Sequence, residues 1–161
     1  MSNRLDPFDL SILQHLQENA RATPNEISEK VHLSPSAVRK RIKKMEQSGS
    51  IINYFTKLDL SKITNVVTYH TFIKLWSNAN HVLTAFHEIV DQTSEIKECF
   101  HLNGRYDLML HVVCKDVNEY SEFLANKINP LGCIQDITSC VVLDQWKHSN
   151  TIDLIDPGKG K

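Results

Sequence analysis

A dense group of cations limits the structures that this chain can form more than any other feature. Five basic residues occupy six consecutive positions, namely Arg39, Lys40, Arg41, Lys43 and Lys44. Apolar side chains recur through the same segment at i, i+4 and i+7, at Val38, Ile42 and Met45. This spacing predicts an amphipathic helix whose exposed surface is cationic. No acidic residue lies between Ser34 and Met45, so no ion pair can form within the run.

Three dipeptides mark the starts of helices in the first forty residues. Asp6-Pro7, Thr23-Pro24 and Ser34-Pro35 each combine an N-cap side chain with proline at the first helical position, where its missing N–H costs nothing. Glu26 completes a capping box with Thr23. Very few residues separate the second and third helices, around His32. The order and spacing predict a helix-turn-helix whose third helix enters the major groove of duplex DNA.

The third helix therefore carries the predicted DNA contacts. Its first turns are expected to approach the bases, and its later lysines are expected to approach phosphates. The predicted DNA-binding residues are Ser34, Ser36, Arg39, Lys40, Lys43 and Lys44. An ordinary solvated helix face is the alternative interpretation of such a charge run. The apolar and aromatic segment Ile51–Thr56 follows, and it predicts the short strand of a winged helix.

Charge divides unevenly along the 161 residues. Residues 1–60 carry nine Lys and Arg against seven Asp and Glu, whereas residues 61–161 carry nine against twelve. An acidic second half is a poor additional site for nucleic acid.

The four cysteines lack C-x-x-C spacing, and most are predicted to be small buried hydrophobes rather than disulfides. Without a membrane span or a leading apolar segment, the expected location is the cytoplasm.

The second half alternates strand and helix patterns. Strands are predicted at 66–76, 95–102, 106–114 and 134–146, and helices at 81–90 and 116–128, with Asn80 and Asp116 as possible caps. The order β-α-β-β-α-β is that of a ferredoxin-like α+β domain, with both helices on one face of an antiparallel sheet. Ile96, Phe100 and Leu102 are expected on one side of their strand.

The other face of that sheet is predicted to remain bare. It is expected to carry Tyr, Phe, Trp, Val and Leu side chains, which are too apolar to leave in water. Pairing two such faces predicts a homodimer.

An RNA-recognition module has a similar architecture, but it needs aromatic and basic residues on its central strands. The candidate central strand at 108–113 has neither an aromatic residue nor an arginine.

Four segments together resemble the Lrp/AsnC family of leucine-responsive and asparagine-responsive transcription regulators. They are LDPFDLSILQHLQENAR at 5–21, LSPSAVRKRIKKMEQSGSI at 33–51, NGRYDLML at 103–110 and TSCVVLDQWKHSN at 138–150. The resemblance implies binding to duplex DNA as a dimer, with assembly into tetramers, octamers or larger rings. It also implies an effector, usually an amino acid, held between subunits near the turn at 103–107 and the last strand. The effector-binding residues that it implies are Gly104, Arg105, Tyr106, Asp107 and Thr138.

The chemistry of that turn fits an amino acid. Gly104 can expose backbone N–H groups to a carboxylate, and Asp107 can pair with an ammonium group. An ordinary hairpin, with Gly104 present for its φ angle and Asp107 as a local cap, is the alternative. Two residues depart from the family pattern. Arg105 stands where acidic or small residues are more common, and His32 stands where many relatives have glycine.

The domain organisation that follows has four parts. Residues 1–56 form a winged helix-turn-helix, 57–64 a linker, 65–147 a ferredoxin-like domain for effector binding and oligomerisation, and 148–161 a tail. No catalytic residue, cofactor or metal site is predicted.

The alternative function is a haem-pathway decarboxylase of the same architecture, but the eight histidines are scattered and form no H-x-x-x-H pair. A red protein favours that enzyme, whereas DNA retardation favours a regulator. The effector, the operator and the direction of regulation remain open.

Overall fold

The computed structural model describes residues 5–77, 79–147, 149 and 151–154. It divides into two compact units. The first unit comprises the described parts of Met1–Lys57 and Lys147–Lys161, and the second is Leu58–Trp146. In the part of the chain that is described, every helix is too short or too polar to traverse a bilayer.

Three helices form the first unit at the predicted places. They are α1 (Pro7–Glu18), α2 (Pro24–Val31) and α3 (Pro35–Gln47). The side chains of Asp6, Thr23 and Ser34 each accept a backbone N–H from the first turn, so the predicted N-caps are confirmed. The helices bury a common core made of Ile12, Leu16, Ile27, Val31, Val38 and Met45.

The turn between α2 and α3 contains a residue in the left-handed conformation. His32 has φ 55° and ψ 41°, and its backbone N–H donates to the carbonyl oxygen of Ser28. A non-glycine residue in this region costs about 1–2 kcal/mol, because its Cβ approaches the following carbonyl oxygen. The turn thus keeps a conformation suited to glycine although histidine occupies it.

The prediction of a strand at 51–56 is wrong. After α3 ends, Gly49 turns the chain with φ 74°, and residues 51–56 then run without regular secondary structure. No strand among the described residues pairs with this segment, and an unpaired strand leaves its backbone donors and acceptors unsatisfied by the protein. Ile52 and Phe55 are exposed there.

The C-terminal residues return to α1. The side-chain amide of Gln17 donates to the carbonyl oxygen of Ile152 at 3.1 Å and accepts the backbone N–H of the same residue at 2.9 Å. Gln14, one turn earlier, accepts the backbone N–H of Leu154 at 3.1 Å. Two glutamines on one side of α1 therefore fix the described tail residues to the first unit.

The second unit is the predicted ferredoxin-like domain. Its elements are β1 (Val67–Leu75), α4 (Asn80–Gln92), β2 (Ile96–His101), β3 (Leu108–Cys114), α5 (Val117–Phe123) and β4 (Ile134–Val141). The antiparallel sheet has the order β2-β3-β1-β4. Asp116 caps α5 as predicted, and a wider turn at Leu124–Ile128 extends that helix. Helix α4 begins at Asn80, so its N-cap is Ala79 rather than Asn80.

One sheet face packs on the helices and the other is open. Side chains of β1 and β3 alternate between the two faces, as the register requires. The helix-facing side meets Phe86 of α4 together with Tyr120 and Phe123 of α5 in one core. The sheet thus has the single bare face that the sequence predicted.

A bulge in β2 changes which residues face the helices. Ile96 pairs with Val112 on the buried side, but the register shifts before Glu98. Phe100 consequently pairs with Met109 and lies on the open face. The prediction that Ile96 and Phe100 share a side is therefore wrong, because one extra residue reverses the alternation.

The open face is also more polar than predicted. It carries Phe72, Phe100, Met109 and Val113, but its other positions include histidine, lysine, glutamate and threonine. Tyr69, the tyrosine of β1, lies on the buried side. The cysteine prediction holds for Cys114, whereas Cys99 and Cys140 are exposed because they lie on the two edge strands.

Candidate DNA-binding and effector-binding sites

Helix α3 presents most of its cations to solvent. Arg39, Lys40, Lys43 and Lys44 are all exposed, and Ser36 is exposed in the first turn. Among the described residues, no carboxylate lies within ion-pair distance of these four cations. With no such partner in the described part of the unit, their charge is available to a polyanion.

Ser34 already has a structural task. Its hydroxyl oxygen accepts the backbone N–H of Ala37 at 3.2 Å, which caps α3. It also lies 3.1 Å from the Ser36 hydroxyl. Because a hydroxyl has a second lone pair and one proton, Ser34 can hold the helix end and still approach a phosphate.

The fifth cation of the run, Arg41, points into the unit. Its Nη1 atom donates to Asp9 Oδ1 at 2.6 Å and to Asp6 Oδ2 at 2.7 Å. Hydrogen bonds from the Asp9 backbone and from Arg41 lower the pKa of the Asp6 carboxyl, and the two carboxylates raise the pKa of Arg41. Arg41 therefore fixes α3 to the capped end of α1. This role was not predicted, although the two acids at the start of α1, Asp6 and Asp9, were a signal for it.

In the second unit, the turn between β2 and β3 contacts the last strand. The Tyr106 hydroxyl lies 2.8 Å from Thr138 Oγ1, and the Tyr106 ring packs against Phe72 at 5.6 Å between centroids. The Arg105 guanidinium lies over the same tyrosine ring at 5.3 Å. Three of the predicted effector-binding residues, Arg105, Tyr106 and Thr138, are thus brought together.

Asp107 lies beside them but is buried, with 4% of its surface exposed. Its Oδ1 atom accepts from Lys74 Nζ at 2.9 Å, and its Oδ2 atom accepts from the Leu75 backbone N–H at 2.8 Å. Asp107 is therefore enclosed and paired with β1 rather than open to solvent. These contacts bind the hairpin turn to β1, so replacing Asp107 perturbs the fold as well as any ligand.

Gly104 is not explained by the backbone or by packing. Its φ lies outside the left-handed region, where Gly49 and Gly132 are found. A Cβ atom placed on it meets no atom within 4 Å. The reason that the hairpin alternative gave for Gly104, a special φ angle, is therefore wrong. The turn instead offers an open backbone surface that a ligand or a second chain can approach closely.

A groove of about 600 Å³ lies elsewhere in this unit, between α4 and the edge strand β2. Its lining includes Phe86, Cys99 and His101, and none of the predicted effector-binding residues. The groove and the turn are therefore distinct features. The turn has the better-placed polar groups, because a tyrosine, a threonine and an arginine meet there.

Comparisons with known proteins agree with this two-part organisation. Residues 5–52 match the model of a winged helix-turn-helix DNA-binding domain, and residues 68–152 match the Lrp/AsnC ligand binding domain. The glutamate uptake regulatory protein of Zymomonas mobilis is 32% identical over 154 residues, which cover 96% of this chain and 93% of that protein.

Solved structures show the same similarity. A transcriptional regulator from Neisseria meningitidis, crystallised as an L-Met complex, has a TM-score of 0.83 and 32% identity, covering 92% of this chain and 96% of that one. The AsnC structure from Escherichia coli has a TM-score of 0.78 and 26% identity, with coverages of 90% and 96%. The chain belongs to the Lrp/AsnC family of transcriptional regulators.

Proposed function

We propose that α3 reads operator DNA and that an amino acid bound at the β2–β3 turn changes this binding. The exposed cationic side of α3 is the observation that supports DNA binding. Arg41 is not part of this side, because it donates to Asp9. Ser36, Arg39 and Lys40 approach base edges, while Ser34, Lys43 and Lys44 contact the backbone. Arginine can read guanine through two hydrogen bonds, so Arg39 is the main source of base preference.

The effector site consists of Gly104, Arg105, Tyr106, Asp107 and Thr138. The contact of Tyr106 with Thr138 supports it, because it joins the turn to β4 beside an open glycine. Asp107 acts mainly by holding the turn, while Tyr106 and Thr138 supply hydroxyl groups to the ligand. The exposed Arg105 attracts a second anionic group, so acidic amino acids are favoured. One relative is a glutamate uptake regulatory protein, and another was crystallised as an L-Met complex. These two relatives support an amino acid as the class of effector.

The protein works as a homodimer through the open face of its sheet, with tetramers or octamers formed from such dimers. The apolar side chains on that face support this pairing, since Phe72, Phe100 and Met109 are adjacent in the register. Its chemistry is binding rather than catalysis, and its place is the cytoplasm, where the DNA is.

Selection of bound sites from random duplex DNA tests the regulator directly. The full-length protein is incubated with the library, with and without a pool of free amino acids. An enriched pseudo-palindromic site whose recovery changes with the pool supports both parts of the proposal. No enrichment above a Lys43→Ala, Lys44→Ala double variant contradicts the DNA part, and an enriched site indifferent to every amino acid contradicts the effector part.

Light scattering of the full-length protein tests the assembly. A dimer or a multiple of a dimer is expected. Phe72→Glu places a charge between the paired faces and should produce monomers. Phe8 is an exposed residue of the first unit, so Phe8→Glu should leave the assembly unchanged. A wild-type protein that stays monomeric at micromolar concentration contradicts the homodimer.

A further inference from the structure

One row of side chains across the open sheet face consists entirely of groups that titrate or bind metals. The register places Glu98 of β2 beside His111 of β3, His111 beside His70 of β1, and His70 beside Cys140 of β4. The rings of His70 and His111 meet edge to face with centroids 5.5 Å apart. Along the sequence the histidines are scattered, and only the strand register brings these two together.

The two histidines occupy the middle of the face. Strands β3 and β1 are the central pair of the sheet, and each histidine is the fourth residue of its strand. Phe72 and Met109 lie in the next row on one side, and Val113 lies on the other. The two imidazoles at the centre of the face therefore lie between rows of apolar side chains.

Burial between two copies imposes a cost on these imidazoles. A polar group that loses water without gaining a partner is unfavourable, and each neutral imidazole has one donor and one acceptor nitrogen. Glu98 Oε2 lies 3.3 Å from Nδ1 of His111. When Nδ1 carries the proton, it donates to this carboxylate and leaves the Nε2 lone pair free. A carboxylate in that position is the usual support of a histidine that binds a metal.

No three described His, Cys, Asp or Glu side chains converge on one point within a single copy. Two histidines can supply half of a tetrahedral site, and a second copy can supply the other half. Packed sheets lie about 10 Å apart, so a metal midway is about 5 Å from each sheet. Imidazole side chains with metal–nitrogen bonds of about 2.0–2.1 Å can span that distance when they lean together.

We propose that His70 and His111 from two copies of this chain bind one divalent transition-metal ion of the zinc type at the centre of the homodimer. Imidazole ligands in a tetrahedral arrangement suit zinc. Glu98 is a positioning residue, because it orients His111 without contacting the metal. The inference rests on the homodimer proposed above, and it adds a metal where the sequence predicted none.

Zinc titration of the metal-free, full-length protein tests the site, with a chromophoric chelator as competitor and light scattering in parallel. One zinc ion per two chains is expected. His70→Asn and His111→Asn should each weaken zinc binding at least a hundredfold. Glu98→Gln, which removes only the supporting charge, should weaken it about ten- to hundredfold. His101→Asn is the matched control, because this exposed histidine lies on the opposite side of β2 and should leave zinc affinity unchanged.

The outcomes separate the metal site from the assembly. A dimer that binds no zinc, or binds it equally after His70→Asn, overturns the metal site and leaves the homodimer standing. A protein that is monomeric with and without zinc overturns both. Zinc that converts monomers into dimers, in wild type and in His101→Asn but not in His111→Asn, supports both.

Discussion

The guanidinium of Arg41 lies 2.6 Å from Asp9 Oδ1, although 32 positions separate the two residues. Asp9 is almost fully buried and also shares the capping box at the start of α1. A cation from the run that predicts DNA binding is therefore part of the internal structure of the first unit. The four exposed cations and the internal one should respond differently to substitution.

Replacing Arg41 with methionine should destabilise the first unit by about 1.5–3 kcal/mol. This range is typical of losing hydrogen bonds to a charged group when a buried partner remains. Lys44→Met is the matched control, because it removes an exposed cation and should change stability by no more than about 0.5 kcal/mol. Urea unfolding measures both. Equal unfolding midpoints for the two variants contradict a structural role for Arg41.

The same network predicts a dependence of stability on acid. Hydrogen bonds from the Asp9 backbone and from Arg41 lower the pKa of Asp6 below its ordinary value of 3.8. A lowered folded-state pKa stabilises the fold above the ordinary value, and this contribution is lost as the pH falls through the folded-state pKa. The unfolding midpoint of wild type should therefore fall more steeply below about pH 4 than that of Asp6→Asn. Parallel curves contradict this assignment.

Arg39 and Lys44 should differ in how they affect DNA binding. Arg39→Ala should cost about 1–3 kcal/mol on the selected site and relax the preference at one base position. Lys44→Ala should weaken binding to all sequences alike and reduce the salt slope by about 1. Fluorescence anisotropy at several salt concentrations, on the selected and a scrambled duplex, measures both. Variants that bind like wild type show that α3 is not the reading helix.

His32 offers a test of backbone strain. His32→Gly should relieve about 1–2 kcal/mol of left-handed strain and lose about 0.4–1 kcal/mol through the greater freedom of the unfolded chain. A net gain of roughly 0.8 kcal/mol is expected from the midpoints of these two ranges. His32→Ala should give no gain, because alanine keeps the Cβ atom. Thermal unfolding followed by circular dichroism compares them. A glycine variant less stable than the alanine variant contradicts the strain at this turn.

The sequence predicted the features that depend on neighbouring residues. Helix starts at Asp6, Thr23 and Ser34 follow from side chains that bond the next turn, so they could be identified without tertiary structure. The order of strands and helices along the second unit followed from periodicity. The face of Phe100 could not be predicted, because a single bulge in β2 reverses the alternation.

The site residues divide in the same way. The exposed cations of α3 could be predicted from the run itself, and Tyr106 and Thr138 were expected near each other through the family resemblance. Arg41 and Asp107 could not be placed, because their partners Asp9 and Lys74 come from distant segments. Burial of a carboxylate depends on what packs over it, which local sequence does not encode.

A substitution at Gly104 tests the proposed effector site. Its φ is not left-handed and a Cβ atom there meets nothing, so Gly104→Ala should leave folding and DNA binding without ligand unchanged. If an amino acid approaches this backbone, the added methyl group should weaken its binding. Tyr106→Phe removes the hydroxyl that meets Thr138 and should cost about 0.5–1.5 kcal/mol in ligand affinity. Calorimetry against free amino acids measures both effects.

In the proposed effector site, Arg105 is the residue expected to select which amino acids bind. Arg105→Ala should weaken acidic amino acids about ten- to hundredfold, as expected for losing a charge-assisted contact of ~1.5–3 kcal/mol, and should spare neutral ones. Tyr54→Phe is the matched control for Tyr106→Phe, because the Tyr54 hydroxyl donates to Glu46 in the first unit and is not part of the proposed site. An amino acid that binds tightly to wild type and equally well to Gly104→Ala, Tyr106→Phe and Arg105→Ala places the effector site elsewhere. In that case Gly104 and Tyr106 belong to the assembly of subunits or to the hairpin alone.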